Sequence, residues 1–201
     1  MIRADLHIHT KYSSDASIQP KMLVDQLYSH STVKAVAVTD HNTLEGYYKT
    51  KELAKPYTDI AVIAGAEIHA AEGEVIVLGI EELPTKPWSV PRIIDFARAA
   101  GGVTVAPHPY RGYGLGELTR KYSLDAIEVL NGASSPQANR LAENLAKTMQ
   151  LPGTAGSDAH AADELWSVYT EVQASLDVDE ILKAVKNGLV KAVSAGRSIH
   201  F

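Results

Sequence analysis

The sequence predicts an α/β fold, a compact (β/α) barrel built around a parallel sheet. Three observations predict it. Short runs of Val, Ile and Ala alternate with amphipathic stretches, there are seven such runs in 201 residues, and no glycine-rich phosphate fingerprint follows the first run. Strand-then-helix repetition implies a parallel sheet, either doubly wound or closed. The missing fingerprint counts against the dinucleotide-binding, doubly wound form. A barrel of this length lies at the small end of its class.

The predicted strands are Ile2–Ile8, Lys34–Thr39, Ile60–Ile68, Gly102–Ala106, Ala126–Leu130, Gly153–Gly156 and Tyr169–Ala174. They read as continuous apolar runs, as strands buried on both faces do. Helical spacing predicts Pro20–His30, Leu44–Ala54, Val90–Ala100, Pro136–Gln150 and Val178–Asn187. Ser135 and Asp177 are suited to N-caps, Ser135 being followed by Pro136 at the first helical position. Gly101 and Gly188 are suited to helix stops. Two further pieces, Glu74–Ile80 and Val190–Ser194, read as an extra strand after the third run and a final strand. Pro84, Pro87 and Pro91 punctuate a loop and do not divide domains, so residues 1–201 are expected to form a single domain.

Composition narrows the function. The net charge is -5 and the pI about 5.9, which argues against a partner held mainly by its backbone phosphates. With no cysteine, disulfides, thiolate zinc sites, iron–sulfur clusters and thiol nucleophiles are excluded. The start, MIRADLHIHT, has no uninterrupted apolar segment and no run approaches the length of a membrane span, so a cytoplasmic protein with no membrane partner is expected.

The eight histidines carry most of the information, because they fall with acids where the apolar runs end. The first run closes with Asp5-Leu6-His7-Ile8-His9, the second with Asp40-His41, the third with Glu67-Ile68-His69. The fourth closes with His108, the fifth brings Glu128 and Asn131, and the sixth leads into Asp158-Ala159-His160. In a parallel barrel these C-terminal strand ends converge on one face, where active sites form. Side chains two apart on a strand share a face, so Asp5, His7 and His9 are expected to point together, as are Asp158 and His160. So many charged groups buried at one end would be costly unless a cation neutralised them. A donor set of imidazole and carboxylate without thiolate suits zinc, manganese or iron better than calcium. The number of donors exceeds one tetrahedral site, which implies a cluster with a bridging carboxylate. Clustered divalent ions polarise phosphoryl oxygens and generate hydroxide at neutral pH, which points to phosphate ester hydrolysis and leaves amide hydrolysis open.

The segments D-L-H-I-H-T, S-D-A, T-D-H-N, G-A-E-I, A-H-P and G-S-D-A-H, in this order from Asp5 to His160, resemble the PHP family (polymerase and histidinol phosphatase). The resemblance implies a distorted (β/α)7 barrel of parallel strands with its active site, a trinuclear metal centre, at the C-terminal strand ends. It also implies phosphoesterase activity, since the family includes histidinol phosphatases, nucleotide phosphatases and polymerase-associated exonucleases. Carried over by position, the first metal takes His7, His9, Glu67 and Asp158. The second shares Glu67 and takes His108, and the third takes Asp15, His41 and His160. Asp5 and Asp40 are implied to orient histidines through their free ring nitrogens. On the residues alone, Asp15 could equally be a turn residue of the loop Tyr12–Asp15.

One departure concerns the second metal. Where many members carry a histidine after the third strand, this chain reads Glu72-Gly73-Glu74-Val75. Glu74 either replaces that imidazole or is a solvated strand-edge residue, and His69 is either a spare ligand or a hydrogen-bonded rim residue. Arg111 and Arg197 are candidates for gripping a phosphate, since arginine offers a fork of donors, or else are surface arginines. The expected activity is therefore hydrolysis of a small phosphorylated metabolite or nucleotide with two or three divalent ions. The competing readings are a nuclease acting on short oligonucleotides and a non-catalytic, metal-stabilised scaffold.

Overall fold

Nine strands and five α-helices form among residues 1–196, which are the residues the computed structural model describes. In chain order they are β1 (Ile2–Ile8), α1 (Pro20–Ser29), β2 (Ala35–Val38), α2 (Glu45–Ala54), β3 (Ala61–His69), β4 (Glu74–Leu78) and α3 (Val90–Ala100). There follow β5 (Val103–Ala106), a 3-10 helix (Gly116–Lys121), β6 (Ala126–Asn131), α4 (Pro136–Met149), β7 (Gly153–Gly156), β8 (Val168–Val172), α5 (Val178–Lys186) and β9 (Val190–Ser194). The caps act as their residue types dictate. Ser135 and Asp177 accept from the backbone N–H groups of Ala138 and Glu180, and Gly101 ends α3 in the left-handed region.

The strands form one sheet in the order β7-β6-β5-β4-β3-β2-β1-β8-β9. β1, β2 and β3 run parallel, as do β5, β6 and β7, but β4 is antiparallel to both neighbours and β8 is antiparallel to β1 and β9. The all-parallel expectation is thus corrected at β4 and β8. The connection 70–73 is too short for a parallel crossover, so the chain must turn back as a hairpin. After β4 the chain climbs to the hairpin again, where the Ala71 N–H donates to the Trp88 carbonyl at 3.2 Å, before α3 descends and β5 resumes the common direction.

The sheet curls until its ends almost meet. The Asp158 N–H donates to the His7 carbonyl at 2.7 Å, and the Ala155 N–H donates to the Thr170 hydroxyl at 2.8 Å, tying β7 to β1 and β8. A Cβ at Gly156 would lie 2.3 Å from the His7 Cβ, so this seam requires glycine. One apolar cluster joins Ala4, Leu6, Ile63, Ile76 and Val105 to Ile181 and Val185 of α5, which stops the end of the barrel away from the histidines.

Two bulges set the phase of the strands that bear polar residues. Asp5 pairs with Val36 but Ile8 pairs with Val38, so β1 carries one extra residue between them. β6 carries another, since Glu128 pairs with Thr154 and Leu130 with Ala155. Bulges re-aim side chains where function demands it. Here each one overturns the simple alternation on which face assignments rest.

Candidate metal centre

β1, β2, β3, β5 and β7 all end at one mouth of the barrel, and they deliver His7, His9, His41, Glu67, His108 and Asp158 there. Because β4 runs the other way, its first residue, Glu74, lies opposite His69 at this same mouth. Glu74 is buried, not a solvated edge residue. The backbone is strained at two of the donors: φ is 25° at His108 and 54° at Asp158, a region non-glycine residues rarely occupy. Asp158 lies beyond the last strand residue of β7, so a loop and not a strand face brings Asp158 and His160 together, His160 Nδ1 lying 3.7 Å from Asp158 Oδ1. His160 Nδ1 also lies 2.8 Å from the Asp158 carbonyl.

Oxygens of Glu67 and Asp158 flank the paired Nε2 atoms of His7 and His9. His7 Nε2 lies 3.1 Å from His9 Nε2, 3.4 Å from Glu67 Oε2 and 3.3 Å from Asp158 Oδ1. His9 Nε2 lies 3.3 Å from Glu67 Oε2 and 3.2 Å from Asp158 Oδ1. Donor separations of this length suit a cation about 2 Å from each atom, the distance at which imidazole nitrogen and carboxylate oxygen bind zinc. The chemistry of the donors therefore fits a divalent cation. Glu67 faces two ways, since Oε1 lies 2.9 Å from His108 Nε2, which is in turn 3.8 Å from Glu74 Oε2. A third group forms where Asp15 Oδ2 lies 3.5 Å from both His41 Nε2 and His160 Nε2. His41 Nδ1 is buried without a hydrogen-bond partner, 3.2 Å from Glu67 Oε2.

Burial opposes charge on His7, His9, His108, Glu67 and Asp158, and their mutual attraction overrides it. Burial prevails at His41, whose pKa is lowered, and at Glu74, whose pKa is raised. Asp158, Glu128 and Glu67 hold His7 well above the usual histidine range, and Asp158 and Glu67 hold His9 up at about 9. Burial likewise pushes the Glu67 carboxyl up, but His7, His108 and His9 pull it well below the usual range. Protons and a divalent cation compete for the same atoms.

The histidines are oriented differently from expectation. Asp5 accepts from the backbone N–H groups of His7 and Ser157 and touches no imidazole, because the bulge in β1 breaks the period of two between Asp5 and His7. Asp40 acts at one remove: it accepts from the Ser13 hydroxyl, which lies 3.2 Å from His9 Nδ1. Glu128 takes the role expected of Asp5, its Oε1 lying 3.0 Å from His7 Nδ1. A carboxylate can only accept, so Nδ1 carries the proton and Nε2 turns its lone pair inward. Glu128 was visible in the sequence only as an acid near a strand end.

Of the two arginines, Arg111 reaches the site and donates to Asp158 Oδ2, while Arg197 lies outside the described residues. His69 pairs with Glu74, Nδ1 to Oε1 at 3.2 Å, at the rim of a cleft of about 460 Å³ that opens over the donors.

The family model described as PHP-associated matches residues 136–190. A solved two-domain protein from Bacteroides vulgatus, described as containing a predicted PHP-like metal-dependent phosphoesterase, superposes with a TM-score of 0.78 at 20% identity over 96% of this chain. The chain belongs to the PHP family. It spans 64% of the Bacteroides protein. Two further matches in fold are a Bifidobacterium adolescentis protein given the provisional description of metal-dependent phosphoesterase and a Chromobacterium violaceum amidohydrolase solved with sulfate. The first has a TM-score of 0.62 at 19% identity, covering 78% of this chain and 87% of its own. The second has a TM-score of 0.61 at 16% identity, covering 80% and 88%. In sequence, an uncharacterised protein from Methanocaldococcus jannaschii is 36% identical over 142 residues, 65% of this chain and 82% of that one.

Proposed function

We propose that this PHP-family chain is a metal-dependent hydrolase, and specifically a phosphoesterase acting on a small phosphorylated metabolite or nucleotide. The observation that carries the reading is that the buried Nε2 atoms of His7 and His9, 3.1 Å apart, each lie 3.2–3.4 Å from one oxygen of Glu67 and one of Asp158. We read residues 1–201 as one domain and its sheet as a distorted (β/α)7 barrel. His7, His9, Glu67 and Asp158 would hold one ion, Glu67, Glu74 and His108 a second, and Asp15, His41 and His160 a third. Zinc, manganese or iron bound there would polarise the phosphoryl oxygens and supply hydroxide at neutral pH.

The chain's own groups account for the rest. Glu128 and Ser13 fix the tautomers of His7 and His9 so that both Nε2 atoms face inward. Arg111 stands at the mouth, where its guanidinium can hold two phosphate oxygens at once. It is the sole lysine or arginine lining the cleft among the described residues, which favours a single phosphoryl group over a polyanionic strand. A cleft of about 460 Å³ matches a small-molecule site.

The test is phosphate release from a panel of phosphorylated metabolites, nucleotides and short oligonucleotides, with each metal and with chelator. Turnover of a small ester that chelation abolishes and metal restores is expected. A metal-loaded protein that releases phosphate from none of them would overturn the proposal.

A further inference from the structure

The wall of the cleft carries an aromatic ring that the metal centre does not use. Tyr113 is 69% exposed, far more than a side chain of its size needs to be. The other exposed tyrosines have local partners, Tyr28 packing tilted against Tyr57 and Tyr48 donating to the Glu81 carbonyl. The Tyr113 hydroxyl makes no hydrogen bond among the described residues, and the ring packs edge-to-face with the His69 ring, centroids 4.8 Å apart. His69 in turn lies 6.0 Å from the His41 ring. The Tyr113 ring is thus two ring contacts from the donors, a gap that a pentose can bridge.

The backbone beneath this exposed ring is held rigidly. The Tyr113 carbonyl accepts from the Glu74 N–H at 3.0 Å, and the Gly114 N–H donates to the Arg111 carbonyl at 2.9 Å. A Cβ at Gly114 would fall 2.3 Å from the His108 carbonyl oxygen, so the loop packs directly against a metal-donor strand end. Arg111 lies two residues before Tyr113 on the same loop. One rigid loop therefore presents a phosphate-binding fork and a flat apolar surface side by side.

We infer that Tyr113, backed by His69, is a stacking shelf for a flat ring in the alcohol part of the substrate, so that the preferred esters are nucleoside monophosphates. This rests on the phosphoesterase reading and narrows it. Stacking of a base on an aromatic side chain is sequence-tolerant, because every base has a π-face, so the shelf selects for a base and not for one base.

The experiment measures equilibrium binding to the metal-loaded protein by calorimetry, beside phosphate release. The ligands are adenosine and cytidine 5′- and 3′-monophosphates and, lacking a base, ribose 5-phosphate. Wild type is expected to prefer the nucleotides, and Tyr113→Ala to narrow that preference at least about fivefold, the lower end of a stacking contribution. Tyr113→Phe and Tyr113→Trp keep a ring and should keep the preference. No preference in wild type, or one unmoved in Tyr113→Ala, would overturn the shelf. Binding with the expected preference but no phosphate release would sink the phosphoesterase reading and leave the shelf standing, whereas hydrolysis with an unmoved preference would do the reverse.

Discussion

Replacing Glu128 by glutamine tests whether the orientation of His7, and not merely the presence of a donor, governs metal affinity. Glu128 is buried, and its two oxygens serve three donors: Oε1 accepts from His7 Nδ1 at 3.0 Å, while Oε2 accepts from the His108 N–H at 2.8 Å and from Asn131 Nδ2 at 2.9 Å. Glutamine has the same shape but only one acceptor oxygen. If that oxygen keeps the two donors on the Oε2 side, the amide NH2 meets His7 Nδ1–H. The imidazole must then move its proton to Nε2, the atom that points at Glu67 and Asp158. If the amide flips, His7 is satisfied but the His108 N–H and Asn131 lose their acceptor at a strained residue. Either way the donor set is disarranged without losing a member. Loss of such an orienting partner weakens metal binding by about 10–100-fold, or about 1.4–2.7 kcal/mol. Competition against a chromophoric chelator, with zinc and with manganese, reads the affinity, and circular dichroism confirms the fold. Wild-type affinity in Glu128→Gln would refute the argument that this contact sets the tautomer.

Further outcomes follow from the same geometry. Glu67→Gln should lose more than one equivalent of metal, because its two oxygens face different donor groups, whereas His160→Ala should lose no more than one; equal loss by elemental analysis would refute bridging by Glu67. Arg111→Ala should weaken inhibition by inorganic phosphate about tenfold with metal content maintained, as expected for a lost charge-assisted contact; an unchanged inhibition constant would remove Arg111 from the site. Glu74→His, which restores a nitrogen donor beside His108, should shift metal preference from manganese towards zinc, and unchanged preference and content in both Glu74→His and Glu74→Ala would show that Glu74 is no ligand. His30 should make stability fall on acidification. Burial, then Lys34, lowers its pKa, and its Nδ1 accepts from the Thr32 and Val33 N–H groups, so the folded state takes up its proton later than the unfolded chain. Its contribution is full above the unfolded value of about 6.5 and is lost as pH falls below it. The urea midpoint of wild type should drop more than that of His30→Asn between neutral pH and pH 5, and parallel curves would exclude His30.

The existence of every strand and α-helix was legible in the sequence, because apolar period, caps and stops are properties of a short window of chain. Ser135, Asp177 and Gly101 ended helices where their side-chain chemistry or φ preference requires. The placement of acids and histidines at strand ends was equally legible, since parallel strands must bring those ends together. Strand direction, bulge position and the pairing of distant groups belong to two segments at once, and no window of one segment contains them. The reversal of β4 brought the first residue of that strand, Glu74, to the mouth, and an extra residue in β1 turned Asp5 from the imidazole to the backbone. An extra residue in β6 put Glu128 and Asn131, three apart, within 2.9 Å of each other. Glu128 meets His7 only because the sheet curls until strands distant in its order face each other across the barrel, and that closure is a consequence of twist and packing summed over all nine strands.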